Sequence, residues 1–420
     1  MAKKVKYQSI NLKCKNKLNT NFLLAYFKIT SKCMLNCPFC SQGCNPEASI
    51  KIDDAKLILK KLKKIGIKSI TYTGGEPLMY KDLLKLVQFG KKIGFEQTVV
   101  TNGIMIDNID TEIFNYISAI GISLHGTKEI HDKVIGKNGV YNQVEKNIDY
   151  IAENYKHISL NINCTITKEN MFYENFKYLV DFAKKRKIKI CFGRLNYIGL
   201  SKNADVIDPD IYLEIIDALK RGYDKIEVSN CISLCTHNSK YNYLNHSCGA
   251  GQTMLAIEPN GDVKICASSN IVIGNLLKSN YLKVVSSKKL KDYKNLKWIP
   301  MACNNCKKFA LCKGGCHAEG TGEFYNSNCD GLLLNKFEMI WGEIKKKKMN
   351  VKNCYIVKKR INKYLIINNP LRVINKTGID IMKCIDGTRT ISELEKKFLT
   401  ICNFKEFIVS LYIDGMLVEI

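Results

Sequence analysis

The feature that most constrains the fold is an alternation of short apolar segments and amphipathic segments between residues 25 and 195. Strands that alternate with helices pack as a parallel sheet with the helices outside it. Six such units therefore predict an α/β fold, a partial (β/α)6 barrel of the TIM type. The strands are predicted at Ala25–Thr30, Ser69–Thr73, Gln97–Thr101, Gly121–His125, Ser159–Ile166 and Lys189–Arg194, and the helices at Ile52–Ile65, Asp82–Ile93, Val140–Glu153 and Phe172–Lys185.

The pattern changes after residue 208. A helix is predicted near Pro209–Arg221, and the stretch Cys231–Cys329 that follows is rich in cysteine and poor in periodicity. A segment with so little apolar core needs another source of stability, and bound metal supplies it. A linker helix is predicted at Gly331–Lys347. The predicted divisions are an N-terminal extension at 1–24, the barrel at 25–208, the cysteine-rich domain at 209–350 and a C-terminal domain at 351–420.

The C-terminal domain is predicted to be a small α+β module of the winged-helix kind. A first helix spans Thr377 to Gly387, and Thr390 with Glu393 forms a capping box that opens a second helix. A third helix is predicted at Phe404–Ile413. Strands are predicted at Tyr355–Lys358, Tyr364–Asn368, Leu371–Asn375 and Met416–Ile420.

Composition limits the location and the partners of the chain. No run of about 18 apolar residues and no secretory signal are present, so we expect a cytoplasmic protein without a membrane partner. Thiols stay reduced there, and the clustering of the 19 cysteines therefore indicates metal rather than disulfides. The net charge of +26 comes from lysines spread along the whole chain, so we expect no nucleic-acid partner.

Three cysteines follow the first predicted strand in the spacing CxxxCxxC. Cys33, Cys37 and Cys40 supply three thiolates from one loop, and a cubane [4Fe–4S] cluster needs four ligands. One iron is thereby left open for a ligand at the mouth of the barrel. The end of the second strand carries glycines that expose the backbone to a ligand and a carboxylate that accepts hydrogen bonds, in the order Gly74, Gly75, Glu76, Pro77.

These two motifs together resemble the radical S-adenosylmethionine (SAM) superfamily. The resemblance implies that the Gly-Gly-Glu-Pro motif holds the methionyl ammonium of SAM and that Phe39 lies beside the adenine. It places Ser123 at a ribose-contacting position, and His125 stands where the family often has Asp. Asn163 on the fifth strand and Arg194 on the sixth match other positions that contact SAM in the family.

The chemistry implied by the resemblance is reductive cleavage of SAM. An electron donor such as flavodoxin or ferredoxin reduces the cluster, and the resulting 5′-deoxyadenosyl radical abstracts hydrogen from a substrate carbon. The protein must then exclude water and competing hydrogen donors. No catalytic residue is assigned beyond the cluster ligands.

A second set of seven cysteines begins with Cys-x12-Gly-x4-Cys around Gly261, continues with Cys-x2-Cys-x5-Cys-x3-Cys and ends with Cys329. The string resembles the SPASM domain, an auxiliary-cluster module of radical SAM peptide-modifying enzymes, and two auxiliary Fe–S clusters of the [4Fe–4S] type are implied. The family topology assigns one cluster to Cys303, Cys306, Cys312 and Cys329, and the other to Cys248, Cys266 and Cys316.

The fourth ligand of the Cys248 cluster is left open by the spacing. Cys231 and Cys235 are candidates, and so is an open iron that binds a substrate thiolate. Sulfatase-maturing relatives carry Asp directly after the second cysteine of this domain, where this chain has Ala267. The difference argues against sulfatase maturation.

The C-terminal domain resembles the PqqD-like recognition element, which binds the leader of a ribosomal precursor peptide by adding it to a sheet edge. The resemblance predicts a sactipeptide- or ranthipeptide-like maturase that forms a thioether or a carbon–carbon cross-link in a precursor peptide. One alternative is a radical SAM enzyme acting on a small molecule or protein side chain. The other is a cluster-based redox regulator that binds nucleic acid.

Overall fold

The structure is a computed structural model. It describes residues 22–42, 48–229, 231–245, 248–295, 303, 306, 308–316, 331–351, 355–360, 363–367, 372–374, 376–401, 404–413 and 416–420. Cys329 and residues 1–21 of the predicted N-terminal extension lie outside the described residues. Within the described part of the chain, every helix is too short or too polar to cross a lipid bilayer.

Six parallel strands form the centre of the fold, and the predicted α/β barrel architecture is confirmed. Each strand pairs with the next in chain order, so all six carboxyl ends meet at one edge of the sheet. In such sheets this edge carries the functional site. The strands are β1 (Leu24–Thr30), β2 (Ser69–Gly74), β3 (Glu96–Thr101), β4 (Ala119–Ser123), β5 (Ser159–Thr165) and β6 (Lys189–Gly193).

Helices cover the outer face of the six strands. Helix α1 shows why they form, because its apolar residues face the sheet, two acidic residues lie in its first turn and two lysines in its last, in accord with the helix dipole. It ends at Gly66, whose φ of 105° is left-handed. The helices are α1 (Ile52–Ile65), α2 (Leu83–Lys92), α3 (Lys128–Ile135), α4 (Tyr141–Asn154) and α5 (Tyr173–Lys185). Helix α3 was not predicted, since only eight residues carry its periodicity.

The sheet continues into the cysteine-rich segment. Helix α6 (Pro209–Lys220) leads to β7 (Ile226–Val228), which pairs with β6. At the opposite edge β8 (Met254–Ile257) pairs with β1 in parallel. The sheet is completed by β9 (Asp262–Lys264) and β10 (Val272–Asn275), both antiparallel, followed by α7 (Tyr281–Val285) and α8 (Lys288–Lys294). The result is one ten-stranded sheet across the predicted boundary at residue 208.

One apolar core joins the barrel to the auxiliary strands. Phe27 on β1, Leu255 on β8 and Val263 on β9 are all fully buried in the same cluster of side chains. The position of the cysteine-rich segment relative to the barrel is therefore set by hydrophobic packing as well as by any metal it binds.

The described residues of the C-terminal part of the chain form two small sheets and a core of their own. The elements that follow α9 (Phe309–Cys312) and α10 (Gly331–Ile344) are β11 (Lys348–Val351), β12 (Tyr355–Arg360), β13 (Lys363–Ile367), β14 (Arg372–Ile374), α11 (Lys376–Cys384), β15 (Asp386–Thr390), α12 (Ile391–Lys397), α13 (Phe404–Ile413) and β16 (Leu417–Glu419). One sheet has the strand order β15–β11–β16, and the other has the order β12–β13–β14.

Two details of this domain test the predicted elements. The Thr390–Glu393 capping box is confirmed, because each side chain bonds the backbone N–H of the other residue. The first helix ends at Cys384 instead of Gly387, since the residues from Asp386 onward pair with β11 as a strand. The linker helix α10 packs into this core through Trp341 and Ile344.

Candidate functional site

The three cysteines of the CxxxCxxC loop lie together at the carboxyl edge of the sheet. Cys33, Cys37 and Cys40 are partly exposed and line a cavity of about 240 Å³. The loop is tightly turned, with the Cys40 N–H donating to the Cys37 carbonyl at 3.0 Å and the Leu35 N–H to the Cys33 sulfur at 3.4 Å. Three grouped thiols that border one cavity are a suitable donor set for an iron–sulfur cluster.

The diglycine at the end of β2 is required by its close approach to the backbone before Cys33. The Gly75 N–H donates to the Thr30 carbonyl at 2.9 Å, and the Glu76 N–H to the Lys32 carbonyl at 2.7 Å. A Cβ added at Gly75 would lie 2.3 Å from the Lys32 carbonyl oxygen, which no side chain tolerates. The motif thus supports the cysteine loop as well as one wall of the cavity.

Glu76 is 1% exposed, and its carboxylate is already bonded by the chain. It accepts hydrogen bonds from the Thr101 hydroxyl at 2.7 Å, the Asn102 N–H at 2.8 Å and the Leu78 N–H at 3.0 Å. Burial raises the pKa of Glu76 to about 7, against the lowering effect of these donors. Glu76 therefore fixes the turn after β3, whose residues Thr101 and Asn102 line the cavity.

The raised pKa of Glu76 predicts a pH dependence of stability. The folded protein keeps the Glu76 proton up to a pH of about 7, whereas the unfolded chain releases it near 4.5, so this carboxyl lowers the free energy of unfolding as the pH rises between those values. Relative to Glu76→Gln, which cannot ionise, we expect the free energy of unfolding of the wild type to fall by about 2 kcal/mol between pH 5 and pH 8. Urea unfolding of both proteins without SAM measures this; a difference independent of pH would refute the buried carboxyl.

Only some of the other residues that were predicted to contact SAM line the cavity. Phe39, Ser123 and Arg194 line the cavity together with Gly75. Asn163 lies on the adjoining strand against Gly121, whose missing side chain leaves the space that the Asn163 amide occupies. Four predicted residues do not border the cavity directly, namely Gly74, Glu76, Pro77 and Asn163.

Several cavity residues escaped the sequence analysis. They are polar or aromatic side chains at the carboxyl ends of β3 to β6 and on α3, a helix that was not predicted. The signal that marks most of them is a polar residue directly after a buried strand, a position that faces the mouth of a barrel. These residues are Thr101, Asn102, His131, Thr165 and Asn196, and the same position is held by His125, which the sequence analysis noted only as a departure from the family's Asp.

The auxiliary cysteines form two groups in the structure. In the first, Cys231 lies within hydrogen-bonding contact of Cys248 and Cys316, contacts that together with burial raise the pKa of the Cys231 thiol. Cys266 belongs to the same group, and burial and the neighbouring Cys316 and Cys248 raise its pKa to about 12. The structure thus brings Cys231, and not Cys235, to the three predicted ligands of this cluster.

The second group contains the cysteines around α9. Burial raises the pKa of the Cys303 thiol, and so do the nearby Cys235, Cys312 and Cys306. The Leu234 N–H donates to the Cys312 sulfur at 3.3 Å, which holds the Cys235 segment against this group. The fourth predicted ligand, Cys329, lies outside the described residues.

Two hydrogen bonds join the rim of the cavity to the auxiliary segment. The Gln42 side chain, two residues after Cys40, donates to the Ala267 carbonyl at 3.0 Å. The Asn196 side chain, which lines the cavity, donates to the Ser268 hydroxyl at 3.1 Å. The loop that follows Cys266 is therefore bonded directly to the loop that carries the first three cysteines.

The two auxiliary groups consist of cysteine thiols. Cysteine thiolates are the usual ligands of iron–sulfur clusters. Grouped cysteines of this kind are the ligands that such clusters use.

The matches to known families decide between these clusters and other metal sites. Residues 27–183 match the Radical SAM superfamily, and residues 248–308 match the SPASM iron–sulfur cluster-binding domain. The chain therefore carries a Radical SAM domain followed by a SPASM domain. Its two domains imply a [4Fe–4S] cluster, SAM and auxiliary iron–sulfur clusters.

Three known proteins show how far the similarity extends. Fe-coproporphyrin III synthase of Methanosarcina barkeri is 27% identical over 194 residues, 45% of this chain and 47% of that protein, so the enzyme spans about half the length of this relative. PqqA peptide cyclase of Bradyrhizobium diazoefficiens is 21% identical over 80% of this chain and 92% of that protein. The crystal structure of Streptococcus suis SuiB bound to SAM shares the fold, with a TM-score of 0.61 and 21% identity over 75% of this chain and 78% of that chain.

Proposed function

We propose that the enzyme modifies a ribosomally made precursor peptide by radical chemistry. The observation that carries this proposal is the combination of a SAM cavity with a separate C-terminal sheet whose outer strands, β12 and β14, each pair on one side only among the described residues. An unpaired strand edge accepts an extended peptide as an added strand. SuiB, which shares the fold, has been solved bound to its precursor peptide SuiA.

Each part of the chain has a distinct task in this proposal. The loop of Cys33, Cys37 and Cys40 holds the cluster, and the ends of β2 to β6 hold SAM. The bound cluster and SAM supply an agent that abstracts hydrogen from carbon. The PqqD-like domain binds the leader, which raises the effective concentration of the attached core peptide at the barrel mouth.

The auxiliary thiols favour an oxidative outcome. Removal of one hydrogen atom to form 5′-deoxyadenosine, one proton to solvent and one electron to an auxiliary cluster leaves the peptide two hydrogens lighter, with one new bond. The bonds from Gln42 and Asn196 to the segment after Cys266 support an electron acceptor beside the cavity. Because Cys231 completes a set of four thiols, this cluster needs no substrate thiolate, and a carbon–carbon link is as compatible with the site as a thioether.

The proposal is tested by the mass of the peptide encoded beside the gene after anaerobic incubation with SAM and a reductant such as reduced flavodoxin. We expect a loss of two mass units. A chain ending at residue 351 should still cleave SAM but modify the peptide at least tenfold more slowly, because it lacks the leader-binding sheet. An unchanged mass with solvent deuterium incorporated would instead indicate epimerisation, and equal rates for both chains would remove the leader-binding role.

A radical SAM enzyme that acts on a small molecule is the second candidate. It is favoured by relatives named for small-molecule products, such as Fe-coproporphyrin III synthase, matched over 47% of its length, and AdoMet-dependent heme synthase. A nucleic-acid regulator is disfavoured by α13, where a recognition helix should be exposed. Seven of its ten residues are buried, so this helix packs in the core and offers no free face to a groove.

A further inference from the structure

Two stacked imidazole rings form part of the cavity wall. His125 follows β4 and His131 lies on α3, and their rings are parallel to within 13° with centroids 5.6 Å apart. They are 2% and 1% exposed, and both border the cavity. The Phe39 ring meets His125 edge-on at 4.9 Å, so three aromatic rings stand together on this side.

Backbone hydrogen bonds determine which nitrogen of each ring carries the proton. The Thr165 N–H donates to Nδ1 of His125 at 3.2 Å, and the His125 N–H donates to Nδ1 of His131 at 3.2 Å. A nitrogen that accepts a hydrogen bond is unprotonated, so each neutral ring has its proton on Nε2. Both rings are therefore hydrogen-bond donors at Nε2.

The residues around the pair keep its geometry rigid. The His125 carbonyl accepts hydrogen bonds from the side chains of Asn170 and Asn175, both at 3.2 Å and both buried. Asp132, the nearest carboxylate in sequence, is bonded to the N–H groups of Gly139 and Tyr141 at 2.6 and 3.0 Å. No described carboxylate is bonded to either ring.

Both imidazoles are neutral near pH 7. Burial, and then the neighbouring His131, lowers the pKa of His125 well below its usual 6.5. Burial lowers the pKa of His131 to about 4, although Asp132 raises it. A neutral donor suits a neutral acceptor, whereas the SAM carboxylate is better matched by a cation such as the cavity residue Arg194.

The hydrogen bonds between His125 and the other described residues use only its Nδ1 and its backbone. Its Nε2 has no hydrogen-bond partner among those residues and is not enclosed by them. The Nε2 of His131 is enclosed and likewise unbonded within the described part of the chain. Because the Nε2 of His125 is not enclosed by the protein, its N–H is available to an acceptor on a ligand bound in the cavity.

We propose that His125 is a positioning residue that recognises the purine of SAM, its Nε2–H donating to a ring nitrogen of the adenine. Adenine ring nitrogens N1, N3 and N7 are pure acceptors, so they match a group that can only donate. The flat base also gains contact with Phe39 and the apolar wall at Ile135. The stacked His131 holds the His125 ring in the required orientation.

Two substitutions separate recognition from structural support. In His125→Asn the short amide oxygen still accepts from the Thr165 N–H, but no donor reaches the position of Nε2. In His125→Gln the longer amide places a donor near that position and gives up the Thr165 bond. Equilibrium binding of SAM to the cluster-loaded, unreduced enzyme should weaken about tenfold for Asn and less than threefold for Gln. The reverse order would mean that His125 only supports the backbone, and would overturn the proposal.

SAM analogues that lack one ring nitrogen identify the acceptor. Among 1-deaza-, 3-deaza- and 7-deaza-SAM, we expect one to bind the wild type about tenfold more weakly than SAM and to bind His125→Asn as well as SAM does. For the other two deaza analogues, and for 2′-deoxy- and 3′-deoxy-SAM, the loss of affinity relative to SAM should be the same in the wild type and in His125→Asn. If the effect of His125→Asn disappears instead with a ribose analogue, or with none of the five analogues, the purine assignment is wrong.

Discussion

Cys33→Ala should reduce formation of 5′-deoxyadenosine to background, a loss on the order of a thousandfold or more. Two thiolates cannot retain a cluster that is designed for three protein ligands and one open iron. The structure supports this strongly, since Cys33 borders the same cavity as Cys37 and Cys40. We expect the absorbance and the iron of this cluster to be lost along with SAM cleavage.

The matched control for this variant is Cys384→Ala. Cys384 is partly exposed like Cys33 but lies in the C-terminal domain, where Lys397 donates to its sulfur at 3.4 Å. Its replacement should leave SAM cleavage unchanged. A Cys33→Ala protein that still cleaves SAM would show that the cluster has been assigned to the wrong thiols.

Cys231→Ala is the second change with a large expected effect. Three [4Fe–4S] clusters contain about 12 irons, and we expect the variant to retain about 8, because one auxiliary cluster loses a ligand. SAM cleavage should continue, since the cavity cysteines are intact, while modified peptide falls at least tenfold for want of an electron acceptor. Iron analysis, Mössbauer spectroscopy and product assays on the same anaerobic preparation measure all three.

The control here is Cys191→Ala, which removes a partly exposed thiol on β6 outside both auxiliary groups. It should keep all of the iron. If Cys231→Ala also keeps about 12 irons, the Cys248 cluster either takes its fourth ligand elsewhere or has an open iron. A thiolate of the substrate would then bind there, and thioether formation would become the preferred outcome.

Most of the barrel could be predicted from the sequence because its strands and its helices other than α3 are long enough to show a period. Helix α1 was predicted with its observed bounds, and the six strands to within two residues. The strands β8, β9 and β10 were not predicted, since three or four residues cannot display an alternation. Their place in the sheet depends on pairing with β1, a contact between residues more than 200 positions apart.

In the site too, features formed by adjacent residues could be predicted, whereas those that depend on contacts between residues far apart in the sequence could not. The cysteine loop and the diglycine were found because their chemistry is contained in a few adjacent residues. The hydrogen bonds that the Glu76 carboxylate accepts from Thr101, the last residue of the neighbouring strand, and from Asn102 after it could not be predicted, because these residues are 25 and 26 positions away. Cys231 could not be preferred over Cys235 by spacing, because the choice is made by the folding of the chain around Cys248 and Cys316. The PqqD-like assignment and the domain boundaries stay predictions.

The most direct test of the proposed function follows the abstracted hydrogen. The peptide encoded beside the gene is produced fully deuterated at carbon and incubated anaerobically with the reduced enzyme and unlabelled SAM, and the 5′-deoxyadenosine is weighed. The proposal predicts a gain of one mass unit, in proportion to modified peptide. That peptide has lost one deuterium and the proton of a thiol if the product is a thioether, or two deuteriums if it is a carbon–carbon link. Unlabelled 5′-deoxyadenosine beside an unchanged peptide would contradict it.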